Sequence, residues 1–127
     1  GLPDARYGMV AGLAAPLISF RIGAGHAARL SLTGATIDAA EAHRIGLFHE
    51  LTSDEFVWAR AMELAKACAA GAPEAMQLTK RLLNETLGEE LSTQLSSGAV
   101  MAATARTTEA AGEGIAALLE GRKPEWK

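Results

Sequence analysis

At 127 residues the chain is one domain long, with a formal net charge of -3 and a pI near 5.6. Its twelve Lys and Arg are scattered rather than bunched, which excludes the basic field that attracts nucleic acid. A lone cysteine, Cys68, cannot form an internal disulfide, so the expected setting is a reducing compartment, the cytoplasm by default. The most apolar run, residues 11–20, is short of the ~20 residues of a bilayer crossing, so no membrane partner is expected. Twenty-seven alanines against 5% aromatics favour closely packed helices over a sandwich of sheets. The chain opens on Gly1 and is at once apolar, as though entered within a domain, and no repeat or linker divides it.

Residues 13–22 are apolar almost throughout and carry Pro16 early, which predicts a short buried helix closed by Gly23. A second helix is expected over 26–32, ended by Thr33 and Gly34, since Gly accepts the left-handed cap. Asp38 with Glu41 three residues on reads as a capping box for a third, stopped by Gly46. Residues 47–52 read as a short strand. Ser53 and Asp54 start an amphipathic helix in which Val57, Ala61, Leu64, Ala65 and Cys68 form a core face, ending at Gly71. Pro73 opens the next, with Met76, Leu78, Leu82, Leu83 and Leu87 as its buried stripe and Gly88 as its end. From Glu89 to Arg122 two helices are expected, loosened near Gly112 and Gly114. The small residues Ser96 to Ala103 would admit another helix closely, within the chain or from another subunit. Gly121 and Pro124 stop the last helix, leaving Glu125, Trp126 and Lys127 as a tail.

The spacing of His26, His43 and His49 fits no common zinc motif, and no phosphate loop, hydrolase triad or dinucleotide fingerprint is legible. What remains is Asp4. A carboxylate beside Gly8, Gly12 and an apolar run is partly desolvated, which suits it to passing protons; a plain Pro-Asp surface turn is the alternative.

The order of motifs is more telling. Leu2-Pro3-Asp4 with Gly8, then Gly23, Ala27, Leu30, Leu32, Thr33 and Gly34, then Ile37 to Leu47, resembles the C-terminal half of the enoyl-CoA hydratase/isomerase (crotonase) family. The likeness resumes at Lys80 to Asn84 and closes with Glu113-Gly114-Ile115 and Glu120-Gly121-Arg122-Lys123-Pro124 before Trp126, where the family usually has Phe. The resemblance implies an α/β crotonase (ClpP-like) fold of stacked ββα turns. Residues 1–127 would be its helix-rich C-terminal part with one or two short strands, and 89–127 the helical region that packs subunits into trimers, often paired as hexamers. It implies an acyl-CoA thioester substrate, no cofactor beyond the coenzyme A of that substrate, and an oxyanion hole of two backbone amides in an N-terminal half of the same protein, which this chain lacks; the isolated chain is accordingly expected to be inactive.

The position matching Asp4 holds the family's proton-moving acid. Arg122 and Lys123 match the basic residues near the nucleotide end of coenzyme A, with Trp126 placed to stack on adenine or cover a subunit seam. Family hydratases usually carry Glu where Asp4 stands, and the family's paired glycines are replaced around Gly12 and Leu13 by Ala14 and Ala15 beside the acyl pocket. A shorter acid and a changed pocket favour a dienoyl or unusual enoyl hydratase, or an isomerase, over a simple two-glutamate hydratase. A non-catalytic oligomerisation or coenzyme A-binding module and a thioester hydrolase are the rival readings.

Overall fold

The computed structural model describes residues 1–126, without the side chains of Thr86, Leu87 and Glu89. A 3-10 turn at Asp4–Tyr7 precedes α1 (Ala14–Ile22), α2 (Ala24–Thr33) and α3 (Ala39–Arg44); a second such turn at Asp54–Phe56 leads into α4 (Val57–Ala69), α5 (Pro73–Arg106) and α6 (Glu109–Glu120). The punctuation is largely the one the residue types dictate. Gly34 and Gly121 take left-handed conformations that close α2 and α6, and Pro73 sits in the first turn of α5. Asp38 Oδ1 accepts the Glu41 amide at 2.8 Å, capping α3. Glu41 does not reach back to complete the box. Its carboxylate instead takes Arg29 at 3.0 Å and Arg44 at 2.5 Å, tying α2 to α3.

The core is small. Ile22, Leu30 and Ile45 are its buried large side chains, with Leu2, Ile18, Ile37 and Leu47 packed partly against them. Burying each of the three contributes about 1.5–3 kcal/mol. Ala27, Ala42, Ala111 and Ala117 fill the places where backbones run closest.

Several expectations are corrected. Residues 47–52 form no strand, and none occurs among the described residues. The Leu47 and Phe48 amides both turn back to Ala42 O, at 2.8 and 3.4 Å, so the segment wraps the end of α3 instead of extending toward a pairing edge. Gly88 does not end a helix: α5 runs through it to Arg106, because a helical Gly costs only about 1 kcal/mol against Ala and is no stop by itself. The break falls at Thr107 and Thr108, where Thr108 Oγ1 accepts the Ala111 amide at 3.2 Å, and Gly112 and Gly114 lie inside α6.

The remaining corrections concern burial. Cys68 is exposed, as is the whole of α4, and α1, expected as a buried helix, buries only Ile22. Met76, Leu78, Leu82 and Leu83 are likewise exposed, Leu78 by 66%, while Leu87 lies outside the described residues. Their helical spacing is right, but these four side chains stay largely open to solvent.

Candidate functional site

The site is built on the segment from Pro3 to Gly12. Its first turn is closed by backbone bonds, Arg6 N–H to Pro3 O at 2.9 Å and Met9 N–H to Asp4 O at 3.0 Å, and Gly8, at φ 67, reverses the chain after it. Asp4 is half-buried at the head of this turn. No other residue type suits position 8. A side chain there would be strained by the positive φ, and its Cβ would run into the Ala110 carbonyl and the Ala111 amide of α6.

The approach is reciprocal. Gly114, one helical turn further along α6, lies against the Tyr7 backbone so closely that a Cβ would meet Tyr7 Cα at 2.6 Å. Arg6 Nε also donates to Thr33 O at 2.8 Å, reaching the end of α2. The turn that carries Asp4 is thus seated between α6 and α2. Glycine, backbone and one arginine make these approaches.

Further on, Gly12 is buried against Gly98 of α5, backbone on backbone, with Ala102 Cβ at 2.8 Å from where its own Cβ would stand. The stretch of small residues in α5 does serve a close approach, and within this chain its partner is the 10–12 segment. Beside that approach a cavity of about 520 Å³ opens between α1, α2 and α5, walled by Gly12, Ala15, Ala27, Leu32, Ser97 and Met101 among others. Leu13, paired with Gly12 as a binding candidate, is 64% exposed and lies outside this lining, as does Asp4.

The basic candidates gather at the end of α6. The Arg122 guanidinium is held by Glu113 at 2.6 and 3.0 Å and by Glu120 at 2.6 Å, bonds that push its pKa up and keep it charged. Glu113 also accepts the Glu125 amide at 2.9 Å, which folds the tail back on α6. Lys123 is exposed. Trp126 is half-exposed and walls a recess of about 340 Å³ with Glu109, Ala110, Glu113 and Glu125. A phosphate approaching Arg122 therefore competes with two carboxylates already bound to it. Ala110 belongs to both places, standing under Gly8 and lining the Trp126 recess, so one turn of α6 joins the C-terminal group to the Asp4 turn.

Sequence reasoning passes over Arg6, Gly98 and Gly114 as parts of this site. Arg6 carries no motif of its own. The pairing of Gly8 with α6 and of Gly12 with Gly98 depends on which helices return to the N-terminal segment, which no local pattern encodes. His43 and His49, set aside as metal ligands, meet at the surface: His43 Nε2 lies 3.1 Å from His49 O, and Arg21 Nη2 lies 3.0 Å from His49 Nδ1.

A family model described as enoyl-CoA hydratase/isomerase matches residues 1–127. A Thermus thermophilus protein named as an enoyl-CoA hydratase is 32% identical over 126 residues, covering 99% of this chain and 50% of that protein. The 2,3-dehydroadipyl-CoA hydratase of Escherichia coli is 28% identical over 128 residues, covering 100% of this chain and 50% of its own length. The crystal structure of a carnitinyl-CoA hydratase from Mycobacterium avium superposes with a TM-score of 0.88 at 29% identity, covering 100% of this chain and 50% of that one. The chain spans about half the length of the relatives it matches.

Proposed function

The chain belongs to the enoyl-CoA hydratase/isomerase family, and on that premise we propose that it is the C-terminal half of an acyl-CoA enzyme that hydrates or isomerises an unsaturated thioester, with Asp4 as general acid/base. The observation that carries the reading is the seating of Asp4: a half-buried acid heads a turn fixed between two helices. A group that must deliver a proton to one carbon of a bound substrate needs that kind of fixed placement.

In hydration, the oxygen of water bonds to the β-carbon of the enoyl thioester and gives up one proton to a base, the double-bond electrons pass to the thioester oxygen as an enolate, and the enolate collapses by taking a proton at the α-carbon. In isomerisation a proton leaves one carbon of the acyl chain and returns to another through the same enolate. Asp4 would handle the proton at carbon in either case. The amides that stabilise the enolate oxygen, and any second acid, would come from a further portion of the same protein. Lys123 and Trp126 would face the nucleotide end of coenzyme A, with Arg122 available once a phosphate outcompetes Glu113 or Glu120. No cofactor beyond coenzyme A is required by this chemistry, and the expected setting is the cytoplasm.

Asp4→Asn in the active protein should keep thioester binding and lower turnover by about 100-fold, the lower range for a positioned acid/base group. Undiminished turnover would remove Asp4 from the mechanism.

One observation favours a second reading, a module for assembly. Trp58 of α4 is 80% exposed, and Leu78, Leu82 and Leu83 of α5 are more than half exposed, apolar surface of the kind buried between subunits. Trimers or hexamers are the expected assemblies. Sedimentation of the 127-residue chain reads this directly: a stable oligomer that also turns over enoyl thioesters by itself would refute the half-enzyme reading.

A further inference from the structure

Arg6 stands two residues from Asp4 in the same 3-10 turn, yet its side chain leaves that turn for another element. Its Nε donates to Thr33 O at 2.8 Å. That carbonyl belongs to the last turn of α2, where oxygens lack intrahelical donors and the helix dipole favours a cation. Gly34 follows in the left-handed conformation and lies directly against the arginine: a Cβ there would meet Arg6 Nε at 2.6 Å and Cδ at 2.8 Å. The end of α2 therefore accommodates both the stem and the head of this side chain.

The Asp4 turn has no side-chain cap. Its own backbone bonds set its internal shape but not its angle to the rest of the fold. On the α6 side Gly8 and Gly114 bring it against that helix, backbone on backbone. The Arg6 bond ties the turn to a second element, α2.

We infer that Arg6 is a positioning residue for Asp4, setting through Thr33 the angle at which the carboxylate meets the acyl carbon. This rests on the acid/base reading of Asp4. A misplacement of about 1 Å in such a group costs up to ~100-fold in rate.

The test measures hydration of a series of trans-2-enoyl-CoA thioesters by the active protein carrying Arg6→Ala, Arg6→Lys, Asp4→Asn, or Arg6→Ala with Asp4→Asn, together with amide hydrogen exchange. Arg6→Ala should lower kcat at least about 10-fold with KM within about 2-fold, and Arg6→Lys should recover most of the loss by restoring a donor. In the Asp4→Asn background Arg6→Ala should cost nothing further, since it acts through the carboxylate. Exchange at Met9, whose amide closes the turn on Asp4 O, should quicken in Arg6→Ala while α6 is unchanged.

If Asp4→Asn lowers turnover but Arg6→Ala does not, the inference is overturned and the Asp4 reading stands. Additive losses in the double variant, or unchanged exchange at Met9, overturn it as well. Full turnover in Asp4→Asn, or no turnover of any thioester by the unsubstituted protein, overturns both.

Discussion

Two glycines in α6, two residues apart, offer a direct measure of how tightly that helix grips the Asp4 turn. Replacing either by Ala brings the same gain in helix propensity, about 1 kcal/mol. Beyond that they differ. A Cβ at Gly112 meets nothing within 4 Å, whereas at Gly114 it would stand 2.6 Å from Tyr7 Cα and nearer still to the Tyr7 carbonyl. Ordinary van der Waals separation begins at 3.4 Å, so Tyr7 Cα alone would have to retreat by about 0.8 Å (3.4 minus 2.6), and the Tyr7 carbonyl by more. Backbone that is itself hydrogen-bonded cannot yield that freely, and overpacking of this sort costs about 1–3 kcal/mol. Because the Tyr7 carbonyl lies closer still, the upper part of that range applies.

Gly112→Ala should therefore stabilise by about 0.5–1 kcal/mol, and Gly114→Ala should destabilise by about 1–2 kcal/mol after its propensity gain is subtracted. Urea unfolding followed by circular dichroism gives both values on one scale. The comparison cancels helix propensity, leaving only the tertiary effect. Equal stabilisation by the two substitutions would show that α6 does not lie on Tyr7, and the seating of the Asp4 turn would fail with it.

Two further predictions concern the α2–α3 corner. Asp38→Ala removes the side chain that accepts the Glu41 amide and should lower stability by about 1 kcal/mol in the same unfolding assay; Asp38→Asn, which keeps an acceptor, should lose much less. The Glu41 carboxyl is held below its ordinary value of 4.5, first by its hydrogen bond from Arg44 and despite some desolvation. A depressed carboxylate pKa gives stability that is fully present above the unfolded value and is lost as pH falls through the folded one. Glu41→Gln should thus flatten the fall in stability below about pH 4.5 and leave the slope near neutrality unchanged, and high salt should mute the difference because the group is exposed. A slope that changes only near neutrality would contradict the assignment.

The division between what residue order determines and what folding decides can be read from particular elements. Gly23, Gly34, Gly46 and Gly121 all adopt positive φ, as their places after apolar or capped segments imply, because the cost of a Cβ in that region is local and independent of the rest of the fold. Asp38 caps α3 for an equally local reason. Asp4 is singled out by an ordered set of motifs, so its candidacy also comes from the linear chain.

Burial is not local. Cys68 and, on α5, Met76, Leu78, Leu82 and Leu83 have the spacing of a core face and lie exposed, because periodicity says which residues share a face but not whether anything covers it. Residues 47–52 have the composition of a strand but no partner strand among the described residues, and extended backbone is stabilised only by a neighbour. The setting of Asp4 is decided in the same way. Its turn is fixed by Gly8 on Ala110, Gly114 on Tyr7 and Arg6 on Thr33, pairs from 27 to more than 100 residues apart. Glycine marks where a chain can come close, and only the assembled fold determines what comes close to it.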